Sequence, residues 1–176
     1  MDAKLEAGID KFIEENREKI VDDIGTLVAV PSAVGEGEPG APVGRGPRQA
    51  LERGLDIAKR MGLDTDVGGD VIGWAELPGK SGGKYIATIT HLDVVPAGTG
   101  WTGDPFAMRR RDGFIIGRGV MDDKGPSVLC LYALKYLKDN NIPLRYTVRA
   151  LLGTAEETGM EDVKYYLANY PAPLFA

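Results

Sequence analysis

One histidine and five acids, gathered in three short stretches, are the residues whose types and spacing could do chemistry. His91 is the only histidine in the chain. It follows Tyr85-Ile86-Ala87-Thr88-Ile89, an apolar and β-branched run that reads as a buried strand. Asp93 stands two residues on. In open α/β sheets, ligands collect at the carboxyl ends of strands. An imidazole with a carboxylate beside it there suits a metal ligand oriented by an acid. Taken alone, such a pair is more often a simple hydrogen bond. The second stretch is Gly117-Arg118-Gly119-Val120-Met121-Asp122-Asp123-Lys124-Gly125-Pro126. Its two adjacent acids precede a helix, where the dipole favours anions, yet a cap needs only one of them. The third is Gly153-Thr154-Ala155-Glu156-Glu157-Thr158-Gly159, directly after the strand Arg145–Leu152. An exposed acidic turn opening the next helix is the plain alternative for it.

If the three stretches meet, one imidazole stands among several carboxylates. Zinc tolerates that mixture of nitrogen and oxygen donors, and manganese and cobalt fit it too. So many like charges in one crevice repel one another unless cations are present. Two metals sharing a bridging carboxylate would resolve this and leave a glutamate to activate water. The spacing is not HExxH, which excludes the helix-borne zinc protease arrangement.

The elements that must position these residues follow from periodicity. Residues 2–28 are expected as two helical segments, with Leu5, Ile9, Phe12 and Ile13 on one and Ile20, Ile24 and Leu27 on the other. Ala33–Pro47 reads as a mobile Gly/Pro-rich connection. It holds neither GxxxxGK[ST] nor GxGxxG, so a phosphate loop is excluded. Gln49–Met61 reads as a helix with Gly62 past its end. Asp64–Leu77 reads as short strands, joined as a hairpin or by a crossover. Phe106–Arg110 and Phe114–Ile116 read as hairpin arms about Asp112-Gly113. Arg109, Arg110 and Arg111 read as a solvated edge, and Trp101 and Phe106 as packing anchors. Pro126 suits the first turn of a helix whose broad apolar face runs from Val128 to Leu137, with Cys130 as a small core residue. Glu161–Asn169 is expected as the last helix. Two strands separated by a helix, each followed by acids, form a βαβ unit converging on one crevice.

The bulk properties narrow the function classes. With 176 residues, 43% of them hydrophobic and 27% charged, the chain has the make-up of one globular domain. Its 21 basic and 26 acidic side chains leave a formal net charge of −5, which argues against a nucleic-acid partner because no basic surplus neutralises phosphates. No apolar run approaches membrane-spanning length, so no membrane partner is expected. The single cysteine, Cys130, and an amino-terminal stretch without a signal peptide's features point to the cytoplasm.

At His91–Pro96, Gly117–Pro126 and Glu156-Glu157-Thr158-Gly159 the chain resembles the M20 metallopeptidases, most closely their PepV-type dipeptidase branch. The likeness runs from about the first helix to the last residue. It implies a three-layer α/β/α sandwich around a mostly parallel, mixed sheet that is incomplete at its C-terminal end. It also implies two zinc ions: His91 a ligand of one, Glu157 of the other, Asp122 bridging both across a cis Asp122–Asp123 peptide. Glu156 would be the general base and Asp93 the acid that orients His91. The implied reaction is hydrolysis of the peptide bond of a small peptide, a dipeptide. An M20 deacylase of N-acyl amino acids and a non-catalytic interaction module are the alternatives. Asp122-Asp123-Lys124-Gly125-Pro126 favours the dipeptidase branch over deacylases, which more often have DMKG. The family's remaining ligands, an aspartate and a histidine further on, and its lid domain are not among these residues. Residues 1–176 are therefore expected to be the N-terminal portion of an M20 catalytic domain, inactive or very weakly active alone. Tyr170–Ala176 reads as the approach to a further strand, and self-association through the unfinished sheet, or with the missing C-terminal part, is expected.

Overall fold

The structure is a computed structural model and describes residues 3–176. Helix α1 (Ala3–Val28) runs 26 residues without a break. The two segments expected are one helix, because Glu14–Lys19 between the apolar sets contains no Gly or Pro to interrupt it. Position 2, where the helix was expected to begin, lies outside the described residues. Helix α2 (Arg45–Arg60) starts earlier than Gln49. Pro47 falls in its first turn, where a missing N–H breaks no intrahelical bond. The connection before it is tied to itself rather than open: Gly35 N–H donates to Val43 O, and Glu38 and Ala41 bond each other.

Strands β1 (Asp64–Gly68) and β2 (Ile72–Leu77) form an antiparallel hairpin. Its turn places Gly69 and Asp70 at φ 55° and 60°, and Val71 N–H donates to Gly68 O at 3.1 Å. A two-residue turn with both φ positive matches the twist of the strands it joins, so this region is a hairpin and not a crossover. Strand β3 (Tyr85–His91) ends on His91. A small hairpin follows, β4 (Arg109–Arg111) and β5 (Phe114–Ile116), turning at Asp112-Gly113. Phe106–Met108 does not join its first arm as expected, because Asp104 draws that backbone into a turn by accepting from Phe106 N–H. Nor are the arginines only a solvated edge: Arg110 donates to Glu18 and Asp22 and docks the hairpin on α1. Helix α3 (Lys124–Asp139), strand β6 (Thr147–Gly153) and helix α4 (Glu161–Asn169) complete the chain.

The main sheet has the order β1-β2-β6-β3. It is mixed, as expected, but less parallel than expected: β3 pairs parallel with β6, while β1–β2 and β2–β6 are antiparallel. The three-residue link Gly69–Val71 accounts for the β1–β2 pair, since so short a connection can only return the chain antiparallel. Side chains alternate along β6. Ala150 and Leu152 join Leu27, Leu51, Leu55 and Leu131 of α1, α2 and α3 on one face. Leu151 joins Trp74, Tyr85 and Tyr166 of α4 on the other. Each large aliphatic side chain so buried stabilises the sandwich by roughly 1.5–3 kcal/mol. On the α4 face the Arg149 guanidinium lies 4.9 Å from the Trp74 ring centre and 4.4 Å from that of Tyr85, and it donates to Glu76. Those contacts let a charge sit inside the layer. Cys130 is half-buried rather than fully in the core, and Leu129 is exposed. Tyr170–Ala176 reaches the outer edge of β3, where Leu174 N–H donates to Tyr85 O and Ala87 N–H to Phe175 O. Among the described residues no helix is long and apolar enough to cross a membrane.

Candidate metal centre

His91 stands opposite Gly153 in the parallel β3–β6 register, so the two strands run out together at one end of the sheet. The turn into α3 arrives at that same end. The ring Nε2 of His91 lies 3.0 Å from Asp122 Oδ1 and 3.8 Å from Glu156 Oε2. One ligand atom each from His91, Asp122 and Glu157 fall within 4.8 Å of one another. The three stretches read from the sequence therefore do meet. His91 is buried, whereas the Asp122 and Glu156 side chains are 73% and 42% exposed. Acids thus face the solvent-open mouth while the imidazole forms the floor. The Asp122–Asp123 peptide is cis.

Backbone ties explain why each group points where it does. Asp123 occupies the N-cap position of α3 but makes no side-chain cap bond. Its Oδ2 accepts the His91 N–H instead, at 3.3 Å. The fully buried Ser127 hydroxyl lies 2.9 Å from Asp123 O, to which it donates, and 3.3 Å from His91 O. Lys124, also fully buried, donates to Leu27 O at 2.9 Å and Val30 O at 2.7 Å. The turn is thereby bound to the carboxyl end of α1. A Cβ on Gly125 would stand 2.1 Å from Val120 O, so only glycine lets the turn close this tightly.

Asp93 is fully buried and has two tasks. His91 Nδ1 is 3.0 Å from its main-chain carbonyl and 3.4 Å from its carboxylate, so both oxygen types orient the ring. The same carboxylate accepts Glu156 N–H at 3.2 Å and Glu157 N–H at 3.1 Å. The short 3-10 turn Glu156–Thr158 is therefore hung from the residue that orients the histidine. Sequence spacing foretold the first task and not the second.

The electrostatics are those of a crowded anionic site. Burial by itself pulls the His91 pKa down, but the Asp93 and Asp122 carboxylates outweigh it and hold the imidazole up at about 9. Desolvation raises Asp123 and Glu157 above the ordinary carboxylate range, and the neighbouring acids, Asp122 and Glu156 among them, push the same way. Burial draws Lys124 down to about 8, against the pull of Asp93. A cluster that holds its histidine protonated and lifts Asp123 and Glu157 is one that a cation would relieve. One nitrogen and several carboxylate oxygens within ligand reach fit a divalent ion of borderline hardness.

The sequence reading placed Asp123 in the crevice without its bond to His91 N–H, and gave Lys124 no tie to α1. Each looks locally like a helix-terminal charge, and only the partner brought in from a distant element distinguishes it.

A family model described as peptidase family M20/M25/M40 matches residues 87–174. The chain is 36% identical over 172 residues to the Beta-Ala-Xaa dipeptidase of Lactobacillus delbrueckii subsp. lactis, covering 96% of this chain and 36% of that protein. It thus spans about a third of that relative's length. Among solved structures, the Saccharomyces cerevisiae di-peptidase Dug1p superposes with a TM-score of 0.75 at 16% identity, over 93% of this chain and 38% of that one. A Bacillus subtilis dinuclear metal-binding peptidase of the M20 family does so with a TM-score of 0.65 at 15% identity, over 90% and 42%. At those identities the likeness is one of fold. The matched region runs from β3 through both acidic turns and past α4, half of the 176 residues, and the chain belongs to peptidase family M20/M25/M40.

Proposed function

We propose that the chain contributes the N-terminal portion of the catalytic domain of a metallo-dipeptidase. In this reading His91, Asp122 and Glu157 are metal ligands, Glu156 is the general base and Asp93 is the orienting acid. The observation that carries it is the convergence of three ligand atoms within 4.8 Å, with the Glu156 carboxylate beside them. The dipeptidase named in Lactobacillus delbrueckii and the dinuclear metal-binding peptidase of Bacillus subtilis support it. Two zinc ions would suit the donor set, held by His91, Asp122 and Glu157 with Asp122 shared; manganese and cobalt are compatible. Bound metal would polarise the scissile carbonyl and make a water acidic enough to ionise near neutral pH.

The chain's own residues supply the rest. Glu156 takes the proton of the attacking water and returns it to the leaving amine. Its partial exposure at the mouth leaves it accessible to both. Asp93 keeps the His91 ring and the Glu156–Glu157 backbone in one frame, so ligand and base hold their relative positions. The substrate is an unblocked dipeptide. Each ion would draw two ligands from this chain, fewer than the three protein ligands of a typical catalytic zinc site, so further ligands come from beyond these residues.

Zinc titration of the purified chain, read for stoichiometry and affinity, is the direct test. Binding that disappears in His91→Ala supports the ligand assignment, and binding unchanged by His91→Ala refutes it. In an enzyme completed by the remainder of the catalytic domain, Glu156→Gln should keep its zinc and lose roughly 10²–10⁴-fold in turnover of an unblocked dipeptide. Faster turnover of an N-acyl amino acid than of the dipeptide would overturn the substrate class.

A further inference from the structure

Two fully buried carboxylates divide four consecutive backbone N–H groups between them. Asp93 takes those of Glu156 and Glu157. Asp162, from the first turn of α4, takes the two before them with one oxygen: Thr154 N–H at 2.5 Å and Ala155 N–H at 2.9 Å from its Oδ2. The other oxygen of Asp162 accepts Val163 N–H at 2.8 Å. Among the described residues no basic side chain forms an ion pair with Asp162, so its charge is balanced by N–H dipoles alone. A buried carboxylate is tolerable only while those donors stay in place. The fit is close, since a Cβ on Gly153 would stand 2.3 Å from Asp162 Oδ2. Thr154 adds a bond from its hydroxyl to Val71 O, fastening the same turn to the end of the β1–β2 hairpin.

We infer that Asp162 is a positioning residue of the metal centre. It holds the backbone just before Glu156 and Glu157, next to the pair of N–H groups that Asp93 holds. The inference rests on the ligand reading above for its functional meaning, and on geometry alone for the clamp. Without Asp162, the Thr154 and Ala155 N–H groups lose their acceptor just before the glutamates, and the Thr154 hydroxyl and Asp93 are left to hold the two ends of the segment.

The test compares Asp162→Asn with Asp23→Asn, a buried acid that binds Arg60 and Tyr132 away from the site. The amide keeps the size of the carboxylate but turns a donor toward a backbone donor. Both variants are measured for thermal stability, for zinc affinity by competition with a chromophoric chelator, and for amide hydrogen exchange. The expected result is zinc affinity about 10–100-fold weaker in Asp162→Asn, with faster exchange at Glu156 and Glu157 although their acceptor is untouched. Asp23→Asn should lose stability without either change. Equal effects of the two variants on affinity and on exchange at Glu156 and Glu157 would reduce Asp162 to a structural residue and overturn the inference. If the unsubstituted chain binds no zinc, affinity is compared in the enzyme completed by the remainder of the catalytic domain, where zinc binding unchanged by His91→Ala refutes the ligand reading, and exchange at Glu156 and Glu157 still decides the clamp. If Asp162→Asn does not fold, exchange in the unsubstituted chain decides it: Thr154 and Ala155 protected like β6 support the clamp, and open-loop rates there refute it.

Discussion

His91 carries opposing influences that a sequence cannot weigh. Burial disfavours its charge, and Asp93 and Asp122 more than offset that, raising the pKa from 6.5 to about 9 in the metal-free chain. The folded state then binds more protons than the unfolded state between those values. The resulting stabilisation is full below about pH 6.5 and is lost as pH rises through about 9. A metal needs the unprotonated ring, so binding must expel this proton. The melting temperature of chelator-treated protein should therefore fall across that window, with the slope reduced in His91→Gln. Calorimetry in two buffers of different ionisation enthalpy should show protons released on zinc binding at neutral pH. A slope identical in the variant would mean that the imidazole is not held charged. At this scale the sequence picked out side chains that the fold brings together, because a sole histidine and paired acids stand out by type. It did not show that the Asp123 carboxylate serves His91 instead of capping α3, since both uses place an acid before a helix.

Between elements, the tie that matters most to the site runs from α3 to the end of α1. The Lys124 ammonium reaches Leu27 O and Val30 O, carbonyls at and just past the carboxyl end of α1, where a cation is favoured. Replacing it with Met keeps the length of the side chain, leaves Val30 O without the ammonium and leaves Leu27 O only the Val30 N–H. The cost should be about 1–3 kcal/mol, read as a lower denaturation midpoint for Lys124→Met in urea with the slope unchanged. A midpoint equal to that of the unsubstituted chain would show that α1 does not brace the turn. Element identity was largely legible, because α4 and the β1–β2 region followed from periodicity and turn residues. Boundaries were less so. Pro47 looked like loop and sits inside α2, and the charged middle of α1 looked like a break where no breaker exists.

Across the molecule, the sheet separates two unequal layers. Three helices cover one face, while α4 covers the other through Tyr166, Trp74, Tyr85 and the Arg149 guanidinium. α4, which carries Tyr166 of this layer, directly follows the glutamate turn. Tyr166→Ala should cost about 3–5 kcal/mol in unfolding free energy, as for other large aromatic truncations, and should shift the emission of Trp74, whose ring centre lies 5.7 Å away. A loss below 1 kcal/mol would mean that α4 is held mainly by other contacts.

What the sequence determined by itself was the inventory: the strand ending at His91, the two acidic turns, the helix between them, and a family likeness resting on those three stretches. These are local, written in residue type and period. Tertiary structure decided which backbone groups each buried charge would find. It set Asp93 and Asp162 on neighbouring N–H pairs of one turn, Lys124 on the end of α1, and two antiparallel pairings where more parallel ones were expected. The reason is that a buried charge or an unpaired strand edge is satisfied by whichever donor or acceptor the packing brings near. That partner is separated along the chain by distances that no local pattern encodes.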